Sequence, residues 1–272
     1  DAQITNANKA NLERFYAHYN RASGLDGDTG MFVTPTGAYK FAGCGNLSLI
    51  YCYASRYGGP IPKFSGNSNL NRIEARFSRL SGGKSDSEQE YVLYPDIFDD
   101  CAESMRTFRI SSSNLLNAPM HPEVFEPTVN MNGIEVRSFN RGVSGLIPNL
   151  STMTNLRYVV FLQNNLTGPL PDFSNNPLLY YAHFYQNQLN GSIPVIQSNA
   201  LRYAYWHSNQ FTEFLGLNTP NLLRLFISFN SISGPFPNLG NLTKMYDLYV
   251  NNNNFTDYTA GSIVDCRSLR RF

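Results

Sequence analysis

Charged residues are scarce in this chain of 272 residues. Asp, Glu, Lys and Arg make up 15% of it, and the formal net charge is +1, whereas roughly 25% of an average soluble domain is charged. This balance gives no sequence-wide attraction to nucleic acid or to an anionic membrane. No apolar run approaches the roughly 20 residues that cross a bilayer. We therefore expect no nucleic-acid partner and no membrane insertion.

Residues that carry chemistry are also few. The four cysteines are too scattered for a disulfide framework or a zinc site and leave the redox compartment open: Cys44, Cys52, Cys101 and Cys266. The sequence contains no GxSxG, P-loop or HExxH motif. We predict no catalytic residue, no metal and no cofactor, and hence a protein that is not an enzyme. An enzymatic site built from inserted loops is a minor alternative.

A repeat, by contrast, runs through most of the chain. Its clearest copy reads LRYVVFLQNNLTGPLP from Leu156, and the same apolar and Asn positions return every 21 to 23 residues, with the Gly and Pro positions kept in some of the copies. Clear copies begin at Leu156, Leu179, Leu201, Leu222 and Met245. Weaker copies begin at Leu47, Leu70, Met105 and Gly133, and Leu269 opens a tenth.

The repeat predicts one short strand per copy. Apolar residues that alternate with other residues, such as Val159 and Phe161, point to one face of a strand while the residues between them point to the other. Each strand buries its apolar edge only against neighbouring copies, so stability comes from stacking. The following Asn and Gly suit a turn whose backbone groups need partners.

The pattern LxxLxLxxNxLxGxIP resembles the leucine-rich-repeat family, in the variant common in plant receptors. The resemblance covers about residues 47–272. It implies an α/β-type solenoid of mostly short parallel β-strands, coiled as a right-handed superhelix, in which the Asn side chains form a structural ladder. Residues near 83–104 and 117–132 depart from the spacing and are expected to be inserted loops.

Residues 1–46 do not follow the repeat and are expected to form an N-terminal cap or linker. From Asn6 to about Arg21 apolar residues recur near helical spacing, and residues 31–41 suggest an extended pair around a turn. We therefore predict a helix and hairpin cap. The chain begins with Asp1 and ends where a strand would begin, so we expect it to be a fragment of a longer protein or part of an assembly.

The outward strand positions are rich in aromatic residues. Of 36 such positions in nine copies, 12 are Phe or Tyr, and a contiguous exposed aromatic surface marks interaction sites. We expect Tyr158, Tyr181 and Tyr203 to form one column and His183, Tyr205, Phe226 and Tyr249 the next. The candidate ligand-binding residues are Tyr158, Tyr181, His183, Tyr185, Tyr203, Tyr205, His207, Phe226, Phe229 and Tyr249.

Charged residues are more frequent at the same positions in the earlier copies than in the later ones. They form a candidate secondary polar patch of Arg72, Glu74, Arg76, Arg109 and Arg137. We predict a non-enzymatic recognition or adhesion module that binds a protein or a surface glycan, displayed extracellularly on a cell or a virion. The alternative is a structural scaffold that packs against another chain. Six N-x-S/T sequons bear on this setting only if the source glycosylates: Asn46, Asn149, Asn165, Asn190, Asn241 and Asn254.

Overall fold

The computed structural model describes residues 11–18, 41–53, 58–60, 64, 66–81, 83–84, 90–91, 93, 96–112, 119–138, 142–257, 263 and 266–271. In chain order its strands are β1 (Arg14–His18), β2 (Leu49–Tyr53), β3 (Gly58–Pro60), β4 (Arg72–Ser81), β5 (Gly83–Lys84), β6 (Glu90–Tyr91), β7 (Thr107–Ser112), β8 (Gly133–Ser138), β9 (Ser144–Leu146), β10 (Tyr158–Leu162), β11 (Asn165–Gly168), β12 (Tyr181–His183), β13 (Gln188–Ile193), β14 (Ile196–Gln197), β15 (Tyr203–Tyr205), β16 (Gln210–Phe214), β17 (Leu217–Asn218), β18 (Arg224–Phe226), β19 (Ser233–Pro235), β20 (Asp247–Tyr249) and β21 (Asn254–Asp257). One 3-10 helix covers Asp99–Cys101.

One long parallel sheet organises the molecule. Its strands follow one another in the order β1-β2-β4-β7-β8-β10-β12-β15-β18-β20, and β3 pairs with the second half of β4. We call the surface formed by its outward side chains the strand face. The returning segments form smaller parallel sheets, β9-β11-β13-β16, β14-β17 and β19-β21. This confirms the predicted solenoid of short parallel strands.

The core lies between the long sheet and the returning segments. Within one turn Leu156, Val159 and Phe161 are fully buried, and the same positions are buried in the turns around it. Trp206 is the largest buried side chain. Each turn thus buries its apolar side chains against the turns before and after it, as stacking of the repeats requires.

The ladder of Asn side chains is present and satisfies buried backbone groups. Oδ1 of Asn209 accepts a hydrogen bond from the N–H of Leu189 at 3.1 Å, and its Nδ2 donates to the carbonyls of Phe184 and Trp206 at 2.9 and 3.1 Å. The other members bind in the same way: Asn164, Asn187, Asn230 and Asn253. The predicted structural role of these residues is confirmed.

The fourth copy begins two residues earlier than Gly133, the start that the sequence predicts. Tyr158 pairs with Gly133 and Val159 with Ile134, so Met131, which is fully buried, takes the first apolar position. The turn after the strand begins where the sequence predicts, because the N–H of Val143 binds the side chain of Asn164. Since the strand lies two residues earlier, the connection between strand and turn is two residues longer. A shift of two preserves the alternation of a strand, so Glu135 and Arg137 still point outward.

The N-terminal segment differs from the helix that its spacing predicts. Residues Arg14–His18 form β1, which pairs in parallel with β2 from Arg14–Leu49 to His18–Tyr53. The cause is visible in the sequence, where Leu12, Phe15, Ala17 and Asn20 reproduce the repeat template, and Leu12 and Phe15 pack against the core. The predicted hairpin at 31–41 lies outside the described residues except for Phe41.

Both predicted inserts contribute buried side chains, where the sequence suggested surface loops. Phe98 and Phe125 are fully buried and stack at 5.7 Å between ring centroids. Phe98 also packs on Phe64 and Phe108. Among the described residues of the inserts, β5 and β6 form an antiparallel pair apart from the long sheet. In the part of the chain that the structure describes, no helix is long and apolar enough to cross a membrane.

Candidate functional site

Three tyrosines form the first column of the strand face. Tyr158, Tyr181 and Tyr203 occupy paired positions on β10, β12 and β15, and the rings of Tyr181 and Tyr203 stack at 4.7 Å with an interplanar angle of 11°. The ring of Tyr158 lies over Gly133, where a Cβ would overlap it. Nε of Arg109 donates a hydrogen bond to the Tyr158 hydroxyl at 2.9 Å. The ring of Tyr158 thereby contacts the charged side chains of the earlier strands, while the ring stacking of the first column joins Tyr181 and Tyr203.

The second column is a continuous run of stacked rings. His183 stacks on Tyr205 at 4.2 Å and Tyr205 on Phe226 at 4.6 Å, both nearly parallel. Tyr249 ends the column edge-on against Phe226 at 4.5 Å. The register of β12, β15, β18 and β20 places these residues opposite one another. Both predicted columns are confirmed as geometry.

A third, shorter stack lies beside the second column. Tyr185 and His207 are parallel at 4.6 Å between ring centroids. Each stacked pair covers the two ring faces that lie between its members.

Arg224 donates hydrogen bonds to the hydroxyl groups of two tyrosines. Its Nη1 donates to the hydroxyl of Tyr205 at 3.3 Å and its Nε to that of Tyr246 at 2.9 Å. The nearly buried carboxylate of Asp247 lies 3.1 Å from the same Nε. The hydrogen bond to Tyr205 is the main cause that raises the pKa of Arg224. Burial, with the hydroxyl of Tyr246, raises the pKa of Tyr203 to about 12, so this phenol stays protonated.

Burial favours the neutral form of His183 and His207 on the strand face. Burial, and then the charges of Arg137 and His207, lower the pKa of His183 to about 4. Burial also lowers the pKa of His207. Among the described residues no three His, Cys, Asp or Glu are grouped as they would be around a metal ion. Burial raises the pKa of the Cys52 and Cys101 thiols to about 12, so neither supplies a thiolate nucleophile.

Phe229 combines exposure with an unfavourable backbone conformation. It is 55% exposed, and its φ of 54° lies in the left-handed region. The equivalent turn positions have the same positive φ but carry polar residues, Gln163, Gln186, Ser208 and Asn252. A left-handed conformation is an outlier for a bulky residue, and such strain is concentrated at functional sites.

The predicted polar patch is an ion-pair network, which we call the arginine cluster. Glu74 lies 2.5, 3.4 and 3.4 Å from Arg72, Arg76 and Arg109. Glu135, an outward charged residue of the fourth copy that the predicted patch left out, lies 3.5, 3.8 and 3.4 Å from Arg76, Arg109 and Arg137. The cluster therefore consists of Arg72, Arg76, Arg109, Arg137, Glu74 and Glu135.

Solved structures identify the fold. The leucine-rich-repeat ectodomain of the Arabidopsis thaliana receptor kinase GASSHO1/SCHENGEN3 matches with a TM-score of 0.58 and 22% identity, over 85% of this chain and 30% of its own. The Arabidopsis receptor kinase HAESA gives 0.64 and 20% over 77% and 34%. An internalin from Listeria monocytogenes gives 0.53 and 16% over 84% and 67%. The chain has the leucine-rich-repeat fold.

The leucine-rich-repeat chain spans only about a third of the two receptor ectodomains that it matches. A scan against protein-family models and a search of curated proteins give no match. The likeness therefore establishes the fold, and the function is argued from the site itself.

Other surfaces of the leucine-rich-repeat solenoid differ from the strand face. Two shallow cavities of about 280 and 290 Å³ lie on the returning side and contain no residue of the columns. All six sequon asparagines lie outside the long sheet, and five of them are exposed. Glycans at these positions would leave the strand face open.

The structure brings the predicted site residues together on one surface, and it adds others. Tyr180, Tyr246 and Arg224 belong to the aromatic surface, since Tyr180 lies 4.6 Å from Tyr181 and 5.6 Å from Tyr203 between ring centroids. Tyr180 and Tyr246 directly precede the outward positions in sequence, so alternation alone did not identify them. Tyr16 and Tyr51, whose ring centroids are 6.2 Å apart, extend aromatic pairing to β1 and β2.

Proposed function

We propose that the chain is a recognition module that binds a protein ligand on its strand face, through the aromatic columns of β10 to β20. The observation that carries this proposal is the contiguous, partly exposed stack of Tyr, His and Phe rings on an open parallel sheet. Tyr and Phe contribute large contact areas at low entropic cost and are enriched at binding hot spots.

Phe229 and the comparisons support the proposal. The exposed ring of Phe229 has a strained backbone and, within the described residues, no aromatic neighbour. A ligand would compensate this cost. HAESA was solved with a peptide hormone and a co-receptor, and GASSHO1/SCHENGEN3 with CASPARIAN STRIP INTEGRITY FACTOR 2. By analogy we propose a protein or peptide ligand and an extracellular setting. Display on a cell surface or on a virion stays a prediction from the sequence.

The stacked geometry favours a protein over a glycan. Sugars bind aromatic side chains by lying against free ring faces. In this site the faces between stacked rings, whose centroids are 4.2 to 4.7 Å apart, are covered by the neighbouring ring. Ring edges and hydroxyl groups suit the mixed polar and apolar surface of a polypeptide. The alternative of a scaffold that packs on another copy or chain uses the same face.

Replacing Tyr181, Tyr203 and Tyr205 together by Ala tests the proposal. A protein and glycan array first supplies a ligand, whose affinity is then measured for both chains. Truncated hot-spot aromatics each cost on the order of 2 kcal/mol, so we expect a loss of more than about 100-fold. The fold should remain cooperative, because each lost stacking pair contributes only about 0.2–1 kcal/mol.

The matched control replaces Val195 and Leu215 by Ser, since both are about half exposed and lie off the long sheet. This variant should bind as the original chain does. Equal affinity of the tyrosine variant would refute the proposal. A stable oligomer in sedimentation that the tyrosine variant dissociates would favour the scaffold.

A further inference from the structure

The arginine cluster carries more positive charge than its carboxylates neutralise. Four guanidinium groups surround two carboxylates, and the two Glu side chains are only 4% and 12% exposed. The Arg side chains are 24% to 48% exposed. Cations therefore form the accessible part of the cluster while the anions lie beneath them. The surface has a surplus of two positive charges for an anionic partner to meet.

The bonding of the cluster leaves donors available. Arg137 is 37% exposed, and within the described residues its guanidinium group pairs with one carboxylate, through Nη2 and Glu135 at 3.4 Å. A guanidinium group presents five donors in a planar fork that suits carboxylates. Carboxylate groups of a ligand would therefore find both charge and unused donors here.

The cluster contacts Tyr158, whose strand β10 lies beside the strand of Tyr181. The guanidinium carbon of Arg109 lies 4.7 Å from the centre of the Tyr158 ring, and Tyr158 is the neighbour of Tyr181 in the first column. Four strand steps separate β8, which carries Arg137, from β18, which ends at Phe226 just before Phe229. At about 4.8 Å a step this distance is roughly 19 Å, which an extended chain covers in about six residues.

From this arrangement we propose that the strand face binds an extended acidic segment of a partner protein. Asp or Glu side chains of the segment contact the arginine cluster, and an apolar residue about six positions away packs against Phe226 and Phe229. The inference rests on the proposed function and adds the chemistry and the length of the ligand. Single-stranded nucleic acid would need free aromatic faces for stacking, and the faces between the stacked rings are already covered.

Selection from a yeast-displayed library of random dodecapeptides tests the inference. We expect peptides that bind the full chain to be enriched in Asp or Glu five to seven residues from an aromatic or aliphatic residue. A selected peptide should bind the variant Arg76→Gln/Arg137→Gln about tenfold more weakly, since two charge-assisted contacts are lost. Its binding to the original chain should also weaken as salt is raised.

The matched control is Arg157→Gln/Arg270→Gln, which removes the same charge from exposed arginines outside the cluster. It should change the affinity less than twofold. If the first variant unfolds, Arg72→Gln replaces it, because Arg76 and Arg109 still pair with Glu74, and a weaker loss is expected.

The outcomes separate this inference from the proposed function. Peptides without acidic enrichment, or an equal loss in the control, overturn the acidic segment. If such peptides still lose binding in the Tyr181, Tyr203 and Tyr205 variant, the proposed function stands. If no selected peptide loses affinity on substitution of strand-face residues, both the acidic segment and the proposed function are contradicted. Tight binding of single-stranded DNA to the cluster would contradict the assignment of a polypeptide.

Discussion

At the scale of single residues, Phe229 shows a side chain that conflicts with its own backbone. The turn imposes a positive φ at this position in five successive copies, and polar residues accept it elsewhere. For a residue with a Cβ the left-handed conformation costs roughly 1–2 kcal/mol, less for Asn, which is stabilised there by local hydrogen bonds. An aromatic ring retained at this cost points to a contact outside the chain.

Replacing Phe229 by Asn should therefore not weaken the fold. Relief of the backbone strain offsets the loss of the half-buried ring, so the free energy of unfolding should stay constant or rise by up to about 1 kcal/mol, as measured by urea denaturation. The reverse control is Gln186→Phe at the equivalent turn, which should lose about 1 kcal/mol. A clear loss of stability in the Asn variant would mean that the ring has a structural role.

The alternation of the sequence predicts which residues point outward, but the contacts of these residues are visible only in the structure. Both columns follow from a period of two residues and from parallel strands in register. The bond from Arg109 to Tyr158 depends instead on the missing side chain of Gly133. The contacts of Arg224 with Tyr205 and Tyr246 depend on rotamers. Periodicity carries no information on either.

At the scale of elements, the copies tolerate changes in apolar residues better than changes in the ladder. Every clear copy of the repeat keeps its Asn, while the core positions vary among Leu, Val, Ile, Phe, Ala and Trp. The reason is that an apolar position needs only volume, whereas the turn needs a donor and an acceptor at fixed places. The amide of Asn is short and supplies both.

Asn209→Ala should destabilise the chain strongly. The substitution removes partners from the N–H of Leu189 and from the carbonyls of Phe184 and Trp206. Unsatisfied buried groups cost about 1–3 kcal/mol each, so we expect a loss of about 2–4 kcal/mol in urea unfolding. The control Asn251→Ala, at an exposed position, should change stability by less than about 0.5 kcal/mol. An equal loss of stability in the two variants would contradict the structural role of the Asn ladder.

The two register differences have one physical origin. The spacing of Leu12, Phe15 and Ala17 fits either a strand or a helix. Pairing with β2 determines that the segment is a strand. The fourth copy has two extra residues in its turn, so a template of fixed length aligned its turn correctly and its strand wrongly. Local spacing is ambiguous where tertiary pairing decides.

At the scale of the whole molecule, the strand face is chemically divided. The earlier strands carry the arginine cluster, and β10 to β20 carry the stacked rings. Sequence composition already indicated this division, because the same outward positions are more often charged in the first copies and more often aromatic in the later ones. It could not show that Glu74 and Glu135 lie beneath the arginines, which makes that half cationic.

Hydroxyl-radical footprinting of the chain, free and saturated with a selected ligand, tests most directly whether the strand face is the binding surface. Oxidation is read residue by residue by mass spectrometry. We predict protection of Tyr181, Tyr203 and Phe229 on ligand addition, with Val195 and Leu215 unchanged on the returning side. Protection of Val195 and Leu215 while the three aromatic residues stay as reactive as before would contradict the account.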